Sequence, residues 1–218
     1  MVPEELIRNE FCDVARKYSK LNPPEKITQG WIIRGAIDVL DDEGGYWDTY
    51  EVCILIPLNY PNVLPQLFES SGKILRTEDW HNSNGLCCLG TEAIMYYRMG
   101  GQVTLVKWIE QFAHPYLANH IYKLKTGSYA QGEFSHGVPG LIEGYTQIWG
   151  LKNEVEVINY LKFVTNIKSL KRNDPCFCKS GKKYKHCYLV APKKHFMGIP
   201  VNLIQDDLQK IESYIVNL

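Results

Sequence analysis

Apolar residues recur with two different periods along the first seventy residues, which predicts a helix followed by strands. Residues 3–21 are predicted to form a helix, because a spacing of three and four relates Ile7, Phe11, Val14, Tyr18 and Leu21. Residues 31–40 and 46–56 alternate apolar and polar positions, as strands do, and the glycine-containing turn between them predicts an antiparallel hairpin. A short third strand is predicted at residues 66–69. A helix followed by an antiparallel meander indicates an α+β fold.

The second half of the chain is predicted to be mostly helical. Thr104 is a suitable cap for a helix that Pro115 breaks or kinks and that continues to Gly127, whereas residues 91–99 have an irregular pattern. Residues 126–140 are predicted to be a loop, residues 141–150 a short helix or turn, and residues 153–170 and 203–218 further helices. We therefore predict three segments: an α+β domain at residues 1–165, a cysteine-containing module at residues 166–195, and a C-terminal helix at residues 196–218.

Residues 60–89, which follow the first two predicted strands and precede a predicted helix, are rich in Pro, Asn, Ser and Gly. Such a composition predicts a loop, and a long loop in a compact domain is usually functional. Its end contains polar and nucleophilic side chains, namely His81, Asn82, Asn84, Cys87 and Cys88. We expect Cys87 to be buried and inert, because its side chain should point opposite to that of Cys88, which is the candidate nucleophile.

The residues near Cys88 are suited to acyl transfer. A thiolate that accepts and donates an acyl group needs a hydrogen-bond donor for the oxyanion that forms during attack, and losing such a donor costs about 3 kcal/mol in the barrier. Asn82 and Asn84 are both candidates for this donor. His81 can either order the loop or assist deprotonation.

The charge and the cysteine content of the chain limit the compartments and the kinds of partner that fit it. The 24 Lys and Arg balance the 24 Asp and Glu over the whole chain. Residues 168–195 alone contain nine Lys or Arg against one acid, Asp174. Without an apolar run long enough to cross a bilayer or a secretory signal, the expectation is a cytoplasmic protein with no membrane contact. Seven cysteines in an odd count fit reduced thiols and a metal site better than a disulfide framework.

The sequence around the candidate nucleophile resembles the ubiquitin-conjugating enzyme family. The resemblance rests on Tyr60-Pro61, Pro65, His81-Asn82 and the run Gly85-Leu86-Cys87-Cys88-Leu89. It implies a UBC-like fold, with Cys88 at the position that carries the thioester in that family. His81-Asn82 is similar to the His-Pro-Asn tripeptide of the family without its Pro, and the interval to the cysteine is shorter. The helper asparagine therefore stays open between Asn82 and Asn84.

This resemblance also implies partners. Bacterial relatives of the family occur in antiphage CBASS-type operons, where they join the C-terminus of a partner protein, a CD-NTase-type nucleotidyltransferase, to an amine or thiol acceptor. The chain has no visible glycine-rich nucleotide-binding loop. A separate activating enzyme is therefore expected to supply the acyl group.

A second resemblance lies near the C-terminus. The run from Arg172 to Cys187 is similar to the SEC-C motif, a zinc-binding motif, and Cys176, Cys178 and Cys187 match its first three ligands. Tyr188 occupies the fourth position, so His186 or His195 is the candidate to complete a structural Zn²⁺ site. The net charge of +8 over residues 168–195 suggests docking on an acidic protein or on phosphate. Few aromatic residues are interleaved with the basic ones, which favours a protein partner over nucleic acid.

Two other functions remain open at this point. One is a catalytically silent UBC-fold interaction module in which the SEC-C segment provides the docking contact. The other is a cysteine hydrolase of thioester or isopeptide bonds, which would need a histidine partner for Cys88. The candidates for that partner are His114, His120 and His136.

Overall fold

The computed structural model describes six ranges, residues 2–41, 43–130, 134–166, 171–176, 181–187 and 198–217. Within them the chain is a mixture of helices and an antiparallel sheet, which confirms the predicted α+β class. The chain divides into two compact units, the first formed by Met1–Leu89 and Val103–Glu133 and the second by Gly90–Gln102 and Phe134–Leu218. The segment boundaries at residues 165 and 195 stay predictions.

The first unit contains a sheet with the strand order β1-β2-β3-β4-β6-β5 in the described part of the chain. Its strands are β1 Glu25–Ile27, β2 Gly30–Leu40, β3 Tyr46–Pro57, β4 Gln66–Glu69, β5 Asn82–Ser83 and β6 Leu86–Cys87. The three longest strands match the predicted ones closely. One face of β2 is buried through Trp31, Ile33, Ile37 and Val39, as the alternating pattern predicts.

The first helix, α1 (Glu4–Lys17), buries Ile7, Phe11 and Val14 and is shorter than predicted. The chain leaves the helix after Tyr18, and Leu21 pairs with Gly35 of β2. Backbone groups that would be hydrogen-bonded within a longer helix are bonded to β2 instead. Asn22 N, for example, donates to Arg34 O at 2.7 Å. Residues 18–21 therefore belong to the edge of the sheet.

Residues 91–99, predicted to be irregular, instead contain helix α2 (Glu92–Arg98). Four consecutive residues of this helix, Ala93 to Tyr96, are buried. A helix buried on several sides loses the one-sided periodicity by which an amphipathic helix is identified, which is why the pattern did not predict it.

The long helical region after residue 104 runs through Pro115 without ending there. It comprises α3 (Leu105–Trp108), a π-helical turn (Ile109–Ala113) and α4 (His114–Thr126). Thr104 caps it as predicted, accepting a hydrogen bond from Lys107 N. The proline lacks a backbone N–H and crowds the carbonyl four residues earlier, and the wider turn just before it accommodates both effects.

The second unit is helical in the described ranges. Together with α2 it contains α5 (Gly137–Trp149), α6 (Glu154–Thr165) and α7 (Val201–Val216). Tyr145 stacks on Trp149 at 4.9 Å between ring centroids, and Trp149 lies 4.4 Å from Tyr160. Asn153 caps α6 as predicted, and the helix ends at Thr165, while residues 167–170 lie outside the described ranges. None of the described helices combines the length and apolar character that crossing a bilayer requires.

Replacing Gly35 by Ala is expected to destabilise the first unit by about 2–4 kcal/mol, because a Cβ there would lie 2.2 Å from the Lys20 carbonyl oxygen. The control is Gly44→Ala, where φ is also positive (86°, against 143° at Gly35) but no atom lies within 4 Å, and which should cost about 1 kcal/mol. Urea unfolding of both variants measures the difference. Equal losses would show that the contact between residues 20–22 and β2 does not constrain the fold.

Candidate functional site

The predicted nucleophile loop contains a β-hairpin that the sequence analysis missed. Asn82 pairs with Cys87 and Ser83 with Leu86, and the two residues between them, Asn84 and Gly85, have φ values of 52° and 92°. Positive φ at both central residues is the geometry of a type I′ turn, for which Asn-Gly is the strongest sequence signal. The dipeptide could have indicated the hairpin, but its arms are too short to show an alternating pattern. We call residues 81–88 the Cys88 hairpin.

The two adjacent cysteines have different environments. Cys87 is buried with 5 % of its surface exposed, and burial raises the pKa of its thiol to about 12. Cys88 is exposed, and its backbone N–H donates to the His81 carbonyl at 2.7 Å. Because a thiolate is the reactive form and must be reached by its partner, Cys88 is the cysteine that can act as a nucleophile.

His81 lies opposite Cys88 in the backbone register of the hairpin. It follows the 3₁₀ turn Glu78–Trp80 and has left-handed backbone angles, φ 49° and ψ 39°. Such a conformation costs a non-glycine residue about 1 kcal/mol or more, so it persists where neighbouring contacts hold it. Its ring lies 5.4 Å from that of Tyr129. Among the candidate helpers, His81 is the one whose backbone is hydrogen-bonded to that of Cys88.

The two asparagines have different roles in the hairpin. Asn82 is buried, donates from Nδ2 to the Ile74 carbonyl at 3.3 Å, and accepts the Gly85 N–H at 2.8 Å. These bonds use its side chain to hold the turn. Asn84 is exposed, but it lies three residues along the hairpin from the level of Cys88, a distance on the order of 10 Å.

One face of α4 contacts the 3₁₀ turn that precedes His81. We call this set the α4 polar face, and it consists of Tyr116, His120 and Lys123, which are four and three residues apart. The Tyr116 hydroxyl donates to the carbonyls of Trp80 at 3.0 Å and His81 at 3.3 Å. This face was not among the predicted sites, although its three residues recur at helical spacing in the sequence.

Lys123 and His120 also contact residues of the 3₁₀ turn before His81. The ammonium group of Lys123 lies 2.6 Å from the Asp79 carbonyl oxygen and 4.7 Å from the centre of the Trp80 ring. His120 is buried, contacts the Trp80 ring edge-on at 5.1 Å, and is hydrogen-bonded through Nδ1 to Tyr50 at 2.6 Å. Burial lowers the pKa of His120, so this imidazole is neutral and structural.

The other two histidines proposed as partners for Cys88 have different surroundings. His114 lines a cavity of about 220 Å³ with residues from the end of α1 and from β2, among them Tyr18 and Asp38. Burial lowers the pKa of His114. His136 is exposed at the N-terminus of α5, in the second unit.

The cysteine-containing segment near the C-terminus forms a small paired turn. Pro175 bridges Lys183, and Cys176 N donates to the Lys182 carbonyl at 2.9 Å. Cys187 ends a 3₁₀ turn, Tyr184–His186, and its N–H donates to the Tyr184 carbonyl at 3.2 Å. Tyr184 is buried and meets the Phe163 ring of α6 at 6.0 Å, which joins the turn to the helix before it.

Two of the four predicted zinc ligands are thiols in this turn. Cys176 is buried and Cys187 is half-buried, and thiols in tight backbone turns suit a structural Zn²⁺ ion. The third thiol, Cys178, lies outside the described residues, as do Tyr188 and His195. Among the residues that are described, which include His186, no three His, Cys, Asp or Glu side chains are grouped to hold a metal.

Comparison with known protein families identifies the motif in this segment. A family model of the SEC-C motif matches residues 172–187, which contain Cys176, Cys178, His186 and Cys187. Comparison with curated proteins and with solved structures finds no match. The chain therefore contains a SEC-C motif, a motif of the zinc-binding type. If zinc is bound, these residues would hold it, and its role would be to cross-link a segment too small to form its own core.

Iodoacetamide at pH 8 is expected to alkylate Cys88 at least about 100-fold faster than Cys87, because a thiol with a pKa of about 12 is ionised in about one molecule in 10⁴ at that pH. Peptide mass mapping measures both rates, and the exposed Cys12 provides an internal reference. Similar rates for the two adjacent cysteines would contradict the assignment of Cys88 as the accessible thiol.

Protein purified under reducing conditions is expected to contain about one zinc ion per chain. Cys176→Ser should remove most of it, because a serine hydroxyl is a poor zinc ligand, whereas Cys12→Ser should retain it. Elemental analysis of the three proteins measures the ratio. Equal zinc content in wild type and Cys176→Ser would exclude the motif as the zinc site.

Proposed function

We propose that residues 1–165 form a ubiquitin-conjugating-like domain in which Cys88 carries a protein C-terminus as a thioester and transfers it to an amine or thiol. The observation that carries this proposal is the contrast between Cys88, exposed at the end of a hairpin, and its buried neighbour Cys87. The order of elements supports it as well, since a helix and an antiparallel meander precede the hairpin and helices follow it. The resemblance around Tyr60-Pro61 and Gly85–Leu89 supplies the family.

The chemistry needs two exchanges at one sulfur atom. The Cys88 thiolate attacks the carbonyl of a donor thioester, the donor's thiolate leaves, and Cys88 becomes acylated. The acceptor amine then attacks the same carbonyl, the C–S bond to Cys88 breaks, and the amine loses one proton. His81, which lies opposite Cys88 in the register of the hairpin, is the candidate to accept that proton.

The two asparagines receive different roles in this proposal. Asn82 supports the turn of the Cys88 hairpin through Ile74 and Gly85, so its side chain is not available for an oxyanion unless these bonds break. Asn84 is exposed and remains a candidate for contact with the donor or acceptor protein. The hydrogen bonds of Asn82 therefore favour a structural role over oxyanion stabilisation for this residue.

The proposed partners are inferred from the resemblance to ubiquitin-conjugating enzymes and from the charge of residues 168–195. A separate activating enzyme would supply the thioester, and the conjugated protein would be a nucleotidyltransferase of the CD-NTase type in bacterial antiviral defence. Residues 168–195, with a net charge of +8, would dock on an acidic surface of one of these proteins.

Wild-type protein isolated with its genomic neighbours is expected to carry a covalent adduct that thiols release, and Cys88→Ala should lose it. Cys88→Ser should retain an adduct that thiols release more slowly, because an oxygen ester exchanges poorly with thiols. Cys87→Ala is the matched control and should behave as wild type. Non-reducing mass analysis detects the adduct and identifies the partner by its mass.

Other outcomes would favour the other functions. The absence of an adduct, together with slow alkylation of Cys88, would indicate a silent interaction module. A Cys88-dependent activity that disappears in His114→Ala or His136→Ala would indicate a hydrolase, whereas conjugation should tolerate both changes.

A further inference from the structure

The Tyr116 hydroxyl is hydrogen-bonded to the backbone at the start of the Cys88 hairpin. On the first arm it donates to the carbonyls of Trp80 at 3.0 Å and His81 at 3.3 Å. Burial and the nearby Cys87, on the second arm, raise the pKa of Tyr116. A single group on α4 thus bonds to the backbone segment that lies opposite Cys88 and is near the thiol of the residue before it.

The His81 carbonyl is the shared acceptor in this arrangement. It receives the Cys88 N–H at 2.7 Å as well as the Tyr116 hydroxyl, while His81 N donates to the Glu78 carbonyl at 2.9 Å. These bonds account for the left-handed φ of 49° at a residue that is not glycine. Removing one of them would let His81 move towards extended backbone angles and change its position opposite Cys88.

Packing alone does not require a hydroxyl at position 116. A phenylalanine would fill the same space, but it would leave the Trp80 and His81 carbonyls without the donor they have here. Burial and the nearby Cys87, Tyr129 and Glu69 raise the pKa of Tyr116, so the group stays protonated and a donor across the working pH range.

We propose that Tyr116 is a positioning residue for Cys88: its hydroxyl fixes the carbonyl of His81 and thereby the separation between His81 and the nucleophile. The proposal rests on the proposed acyl transfer, since that reaction is what the separation affects. Lys123 and Tyr129 act on the same segment, through Asp79 and through the His81 ring respectively. Tyr116 differs from them because its hydroxyl donates to the His81 carbonyl, the same oxygen that accepts the Cys88 N–H.

The test compares Tyr116→Phe with Tyr122→Phe, the same chemical change at an exposed tyrosine of the same helix. The probe donor is the acetyl thioester of N-acetylcysteamine and the acceptor is free lysine. We expect Tyr116→Phe to lower kcat for acetyl-lysine formation about tenfold with KM unchanged, and to increase amide exchange of residues 79–90 about tenfold. Tyr122→Phe should change neither quantity.

The two measurements separate the two hypotheses. A wild-type chain that does not load acetyl on Cys88 overturns the proposed function, and the exchange of residues 79–90 still decides whether Tyr116 fixes the hairpin. Normal loading with wild-type kcat and wild-type exchange in Tyr116→Phe overturns the positioning role. A general fall in melting temperature, with exchange increased throughout the first unit, also overturns it.

A further measurement covers the case in which Tyr116→Phe does not fold. The hydroxyl proton of Tyr116 in the wild-type protein should exchange slowly with water and give its own proton NMR resonance, with contacts to the Cys88 amide region. Rapid exchange of that proton would overturn the proposal, because a hydroxyl held between two carbonyls is protected from solvent.

Discussion

The backbone hydrogen bond from Cys88 to the His81 carbonyl is the constraint on which the candidate site depends. It sets the register in which the exposed cysteine lies opposite a histidine, and it places Cys87 in the buried register with Asn82. A slip by one residue would exchange the two cysteines between the core and the surface. The accessible thiol is thus defined by hairpin register as much as by the order of residues in the chain.

The hairpin arms are two residues each, too short to hold their register by sheet pairing alone. Hydrogen bonds from polar side chains, one in the hairpin itself and the others on α4, supply the stability that pairing of the arms lacks. Asn82 is hydrogen-bonded to Ile74 and Gly85. Tyr116 and Lys123 of the α4 polar face are hydrogen-bonded to the turn before His81. Each of these buried polar groups has a partner, which avoids the large cost of burying a polar group unpaired. Helix α4 therefore acts as a rigid support for the segment that presents Cys88.

The second unit joins its small motif to a larger helical core by aromatic contacts. Tyr184 of the SEC-C segment meets Phe163 on α6, and α6 in turn packs on α7 and contacts α5 through Tyr160 and Trp149. The hydroxyl of Tyr145 donates to the buried Asp207 carboxylate at 2.8 Å, which joins α5 to α7. The SEC-C segment has few apolar residues, and one buried tyrosine, Tyr184, packs it against α6. A metal cross-link would add to the stability that this contact provides.

The sequence by itself determined the elements whose signals are local. Alternation identified β2 and β3, capping residues identified the starts of two helices at Thr104 and Asn153, and cysteine spacing identified the SEC-C motif. Tertiary structure decided the rest, because the evidence for it lies in residues far apart in the chain. Helix α2 is buried on several sides, the Cys88 hairpin is held by α4 some thirty residues later, and the difference between Asn82 and Asn84 depends on which one meets the Ile74 carbonyl. Such contacts leave no period or motif in the sequence, since each is made by a single side chain that only folding brings to its partner.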